Sequence, residues 1–121
     1  MTQLGVRTRT TPSGPAIELV GELDHHSAPQ VRGLLPGLVV EEGQQLVVDL
    51  AGLTFCDSSG ITVLIAARNH ALASRATVAL AAVPDHVSRI FRIVGLDQVF
   101  PVHPTAQAAE AAWRPPTGPA A

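Results

Sequence analysis

Leu46-Val47-Val48-Asp49-Leu50-Ala51-Gly52-Leu53-Thr54-Phe55-Cys56-Asp57-Ser58-Ser59-Gly60, continued by Ile61 to Leu72, is the stretch that decides the fold. Its apolar, β-branched opening, Leu46–Leu50, reads as a buried strand that stops at Gly52. The cluster Asp57-Ser58-Ser59-Gly60 offers short oxygen-bearing side chains to the free N–H groups of a helix's first turn. Beyond it Ile61, Leu64, Ile65, Arg68 and Leu72 fall on one helical face, with Arg68 the sole polar break. Two hydroxyls therefore stand where a strand hands over to a helix N-terminus, at a rim rather than in the core.

Upstream, Leu4, Val6 and Thr8 alternate with Gly5, Arg7 and Arg9, the pattern of a half-exposed strand near a sheet edge. Thr11-Pro12-Ser13-Gly14-Pro15 reads as a turn, and Ala16–Val20 as a second strand that closes an antiparallel hairpin. Ser27 with Gln30 has the spacing of a capping box, and Pro29 is tolerable in a first turn. Val31, Leu34, Leu35 and Leu38 follow at helical spacing, but Gly33, Pro36 and Gly37 predict a kinked or shortened helix. Strand, helix and Leu46–Leu50 then form a βαβ unit with its two strands parallel.

Downstream, Thr77–Ala81 reads as a fourth strand. Pro84 and Asp85 open a helix whose buried stripe is Val87, Ile90, Phe91 and Val94 and whose end is Gly95. Val99-Phe100 reads as a short last strand. Thr105 caps a final Ala-rich helix, docked by the indole of Trp113. Residues 114–121, rich in proline, read as a frayed tail.

The composition bounds the chemistry. A chain of 121 residues, 46% hydrophobic and 15% charged, forms one globular domain. A formal net charge of -2 gives no footprint for nucleic acid or anionic membrane. All eight cationic side chains are Arg, so Schiff-base chemistry and a P-loop lysine are excluded. A single Cys permits no internal disulfide, and no apolar run reaches a membrane span or a signal-peptide core. These features point to the cytoplasm.

Function is expected outside the carboxyl ends of the parallel strands, where helix N-termini and loops converge. Two polar clusters lie there, Glu22–Ser27 and Asp57–Gly60. Four features, in this order and context, resemble the bacterial anti-sigma factor antagonists of the STAS-domain family. They are Gly21-Glu22-Leu23-Asp24-His25-His26 at a strand end, Val48-Asp49-Leu50, Asp57-Ser58-Ser59-Gly60 opening a helix, and Gly95-Leu96 before a terminal strand. The resemblance spans residues 4–113 and implies an α/β, STAS-like fold: a mixed four- to five-stranded sheet with helices packed mainly on one face, residues 114–121 forming a flexible tail.

The resemblance further implies that the unphosphorylated form binds an anti-sigma factor with serine-kinase activity and frees the sigma factor. The Ser directly after the motif Asp, here Ser58, is the implied phosphorylation site. Its modification ends the antagonism, and a PP2C-type phosphatase restores it. Gly21, Glu22, Asp24, Asp57, Ser59, Gly60 and Thr62 are the implied partner-binding residues, in a monomer or weak dimer without cofactor. The sequence departs from the family in Ile61-Thr62 and in Pro36, both near the expected partner surface.

Plainer roles compete with these. Ser58, Ser59 and Asp57 are ordinary helix caps, and Asp24 is able simply to begin the next helix. Adjacent His25 and His26 are expected to project in different directions, which disfavours a metal pair. His70, His86 and His103 are expected to face solvent, and Cys56 to act as a small buried hydrophobe. The Gly-x-Ser-x-Gly elbow of a serine hydrolase is absent, since Gly52 and Gly60 are wrongly spaced. The chain reads as a substrate of phosphoryl transfer rather than an enzyme. The competing function is a STAS interaction scaffold, or weak nucleotide-binding module, that is never phosphorylated.

Overall fold

The computed structural model describes residues 4–115. In chain order the elements are β1 (Leu4–Thr11), β2 (Gly14–Leu23), α1 (Ala28–Leu34), β3 (Gln45–Cys56), α2 (Ser58–Ala73), β4 (Thr77–Ala81), α3 (Asp85–Val94), β5 (Val102–His103) and α4 (Ala106–Ala112). One five-stranded sheet runs β1-β2-β3-β4-β5. The β1–β2 hairpin is antiparallel, and every later neighbour is parallel, so the expected mixed sheet and βαβ crossover are both present.

Strand alternation sorts the sheet into two unequal layers. Ile17, Leu19, Leu46, Val48, Leu50, Val78 and Leu80 face the main core with residues of α1, α2 and α3. Ala16, Val47, Ala79 and Ala81 point the other way, onto Ala106 and Ala109 of α4. Small side chains on both sides of this rear layer let the short helix lie close. It is anchored by the Trp113 indole N–H donating to the Gly43 carbonyl (3.2 Å), Gln45 Nε2 donating to the Ala109 carbonyl (3.2 Å) and the Arg9–Glu110 ion pair (2.6 Å). Thr105 caps α4 as expected, its Oγ1 accepting from Ala108 N–H.

Several expectations are corrected. Strand β3 does not stop at Gly52 but runs on, paired with β2, to Cys56; the missing side chain at 52 makes room for the isopropyl group of its partner Val20 (2.9 Å from an added Cβ). The hairpin turn is only Pro12-Ser13; Gly14 and Pro15 already belong to β2, with Pro15 near the strand start, where a missing N–H is tolerated. Ser27 makes no capping box: Gln30 reaches instead to the Leu4 carbonyl. The broken helix expected after it is found, since α1 gives way to a 3-10 turn at Leu35–Gly37 that contains Pro36.

In α2 the buried stripe is Gly60, Val63, Leu64, Ala67 and Ala71, so Ile61, Ile65, Arg68 and Leu72 lie along a flank rather than at its centre. Val94 is exposed on α3, where only Val87 and Phe91 are fully buried, while Gly95 ends the helix in the left-handed region as expected. The last strand is Val102–His103 rather than Val99-Phe100, because a 3-10 turn, Leu96–Gln98, intervenes and Phe100 turns into the core. His70 does not simply face solvent; its Nε2 lies 2.7 Å from the Leu38 carbonyl. Most of the tail read from the sequence, residues 116–121, lies outside the described residues.

Phe91 is 1% exposed and stacks on Phe100 at a centroid distance of 6.2 Å. Phe91→Ala is expected to remove about 3–5 kcal/mol of stability. Urea unfolding checks this, the midpoint falling with the slope unchanged.

Candidate functional site

Parallel pairing of β2 with β3 sets Glu22 opposite Phe55 and Leu23 opposite Cys56. The chain segments leaving both strands, Asp24–Ser27 and Asp57–Gly60, therefore emerge side by side at one edge of the sheet. A backbone hydrogen bond from Asp57 N–H to the Leu23 carbonyl (3.3 Å) joins them. Gly60 completes the junction. A Cβ there would stand 2.7 Å from Cys56 Sγ and 2.8 Å from the Leu23 carbonyl oxygen, so no side chain fits while the helix start stays where it is.

Asp57 is the N-cap of α2, its Oδ1 accepting from Gly60 N–H at 3.1 Å. Ser58 is the first helical residue and is exposed; among the described residues its hydroxyl makes no hydrogen bond. Ser59 is half-buried. Thr62, one turn on and exposed, donates its hydroxyl back to the Ser58 carbonyl at 2.9 Å. Helix N–H groups left without intrahelical partners, and the helix dipole, give this corner a positive potential. The hydroxyl of Ser58 thus stands outward in a place that favours an added anion.

The second segment is built differently. Asp24 is 7% exposed, and its Oδ1 accepts from the backbone N–H groups of His26 and Ser27, both at 3.0 Å. Ser27 Oγ donates to the Glu22 carbonyl (2.8 Å) and accepts from Asp24 N–H (2.9 Å). These bonds, the Ser27 backbone N–H foremost, hold the Asp24 carboxyl below its ordinary range, against the opposing effect of burial. Glu22 and Gly21 are half-buried, and Gly21 sits at φ 113° beside a register shift in β2. A residue with a Cβ is strained in that conformation.

All eight residues singled out from the sequence, Gly21, Glu22, Asp24, Asp57, Ser58, Ser59, Gly60 and Thr62, thus lie on these two segments or within three residues of them, Gly21 and Glu22 at the end of β2 and Thr62 in α2. They differ in what they offer a partner. Ser58 and Thr62 are exposed, while Gly60 and Asp24 are buried. Sequence reasoning assigned Ser27 to the wrong bond; the signal was the Asp24-x-x-Ser27 spacing, which closes an Asx turn. It also misjudged His25 and His26, whose exposed rings lie together with centroids 4.0 Å apart. No cluster of three metal-ligating side chains occurs among the described residues. Cys56 is buried, and burial followed by the nearby Asp57 charge pushes its thiol up to about 11, which disfavours a reactive thiolate.

A family model described as Mlab, STAS domain, matches residues 6–102. The anti-sigma-B factor antagonist of Listeria monocytogenes is 30% identical over 86 residues, covering 71% of this chain and 75% of that protein. The chain belongs to the STAS-domain family of anti-sigma factor antagonists. A crystal structure of a family member from Mycobacterium paratuberculosis matches with a TM-score of 0.79 at 26% identity, covering 93% of this chain and 95% of the other. The fold is shared with SpoIIAA in its unphosphorylated form (TM-score 0.70, 24% identity, 91% and 93% covered), a protein also solved in its phosphorylated form. These relatives are named for antagonism of anti-sigma factors rather than for a reaction. No helix among the described residues is long and apolar enough to cross a membrane.

Two outcomes test the junction. Gly60→Ala is expected to destabilise the domain by about 1–3 kcal/mol, read by thermal or urea unfolding, because the helix start must lift off Leu23 and Cys56. The lowered pKa of Asp24 means its stabilisation is complete above the unfolded carboxyl pKa, about 3.9, and is lost as pH falls through the lower folded value. Asp24→Asn is therefore expected to be less stable than the parent at pH 7, with the gap closing below about pH 4. Unfolding measured at pH 7 and pH 3 decides it.

Proposed function

We propose that the unphosphorylated chain binds an anti-sigma factor with serine-kinase activity, so releasing a sigma factor, and that phosphorylation of Ser58 switches the binding off. The observation that carries this reading is an exposed, unbonded hydroxyl at the first position of a 16-residue helix, beside a glycine-sealed junction that fixes it in place. Family membership supplies the partner class, and a PP2C-type phosphatase the reversal. Gly21, Glu22, Asp24, Asp57, Ser59, Gly60 and Thr62 shape or border the contact surface: Ser59 and Thr62 by touching the partner, Asp24 and Gly60 by holding the rim. The kinase brings ATP, metal and catalytic base, and this chain only the acceptor. Such an exchange belongs in the cytoplasm.

Phosphorylation brings a charge of about -1.5 to -2 and three acceptor oxygens. At an exposed helix N-terminus that charge stabilises the domain by roughly 0.3–1 kcal/mol, and the neighbouring Asp57 offsets part of it. The modification therefore acts at the interface rather than on the fold. A docked partner meets new bulk and new charge where it previously met a small hydroxyl.

The test uses purified kinase-type anti-sigma factors of the same genome, incubated with the chain and ATP. Mass spectrometry is expected to place the phosphate on Ser58. Ser58→Ala should bind undiminished and accept no phosphate there, while Ser58→Asp should bind at least about tenfold more weakly, a loss of about 1.4 kcal/mol. Both variants should unfold within about 0.5 kcal/mol of the parent. Binding without any modification of Ser58 would instead favour the scaffold role.

A further inference from the structure

We propose that the flank of α2 running down from the Ser58 corner is the seat of an acidic amphipathic helix contributed by the anti-sigma partner. This rests on the reading of Ser58 above and extends that surface along the helix. Ile61, Ile65, Arg68 and Leu72 follow one another at i, i+4, i+7 and i+11, a straight line about 16 Å long. The first three are half-buried and Leu72 is 46% exposed, so the line is open to solvent without being loose. It begins three residues after Ser58. At its foot it enters a groove of about 210 Å³ walled by Arg68, Leu72, Thr77, Val78, Val99 and Pro101, in which Val99 is 39% exposed.

Charge selects the occupant. Helix α2 contains no Asp or Glu, and among the described residues Arg68 has no ion-pair partner. Helix α3, the next along the chain, adds exposed Arg89 and Arg92 and has a single acid, Asp85, at its first position, while Asp97 is exposed on the turn leading to Val99. Helices α2 and α3 thus carry three arginines and one acid on a chain whose formal net charge is -2. A second copy of the chain would bring arginine against arginine here. Nucleic acid would find three arginines spread around an aliphatic stripe, too few cations for a phosphate track. A helix with leucine-type residues at i, i+3, i+4 and i+7 and carboxylates beside them matches both the stripe and the charge. The same geometry gives the phosphate on Ser58 a second means of acting: placed at the head of the stripe, it repels an acidic helix end-on.

The test titrates the ¹⁵N-labelled full chain with a synthetic 16-residue helical peptide carrying leucines at that spacing and glutamates elsewhere, and with its lysine-for-glutamate counterpart. Only the acidic peptide should move the amides of Arg68, Leu72 and Val99. Arg68→Glu and, separately, Leu72→Ser should weaken that half-saturation at least about fivefold, and raised salt should weaken it too. Both substitutions are at partly or well exposed positions, and unfolded protein is recognised at once by its collapsed amide dispersion. Flat titrations, equal response to both peptides, or the same shifts produced by a 20-base-pair DNA duplex or by anionic phosphatidylglycerol vesicles instead would overturn the proposal. A flat titration beside successful phosphorylation of Ser58 removes the groove and keeps the switch. The opposite pair of results removes the switch and keeps the groove.

Discussion

The backbone hydrogen bond from Asp57 to Leu23, with Gly60 pressed against the same carbonyl, is the constraint on which the rest of the molecule's surface depends. It ties the start of the longest helix to the end of a neighbouring parallel strand. Because β2 and β3 stay paired up to Leu23 and Cys56, through two register shifts, the two connecting segments are held side by side. The outward hydroxyl is therefore set by the sheet rather than by a loop. A rigid mount of this kind is what a modification site needs when the modification must alter docking without altering the domain.

Two carboxylates at this edge do opposite work. Asp57 caps α2 and stays at the surface beside the hydroxyl, whereas Asp24 turns inward to close its own loop with two backbone N–H groups. The loop then carries Ser27 back to Glu22, so each bond on this side constrains the next. Neither carboxylate is left unpartnered, and no buried side-chain polar atom among the described residues lacks a hydrogen bond. Negative charge added at Ser58 consequently meets a framework whose own polar groups are already satisfied.

Much of this was readable from the residues. Alternation marks β1, the Asp-Ser-Ser-Gly cluster the start of α2, and Gly95 the end of α3, since each signal is local. The failures share a cause in contacts made across the sheet. Gly52 looks like a strand terminator until Val20 is seen lying over it. The helical face picked out by Ile61, Leu64, Ile65, Arg68 and Leu72 is not the buried stripe, because Ile and Leu outweigh Ala and Gly in any hydrophobic pattern. In the structure the small residues Gly60, Ala67 and Ala71 share the buried stripe with Val63 and Leu64, since they let the helix approach the sheet closely. Pattern alone could not distinguish a core stripe from a half-open flank, nor tell which oxygen Ser27 would choose.

The hairpin that opens the chain also governs how copies of the protein coexist. Strand β1 is a sheet edge eight residues long, with backbone groups free to template another strand. An approaching copy pairing antiparallel about Thr8 would set Arg7 against Arg9 twice over, a like-charge meeting in the very register that would lengthen the sheet. The opposite edge, β5, is two residues long and gives little to grip. In that register the one long exposed edge thus meets a copy of itself with charges of one sign, while the other edge is too short to extend the sheet.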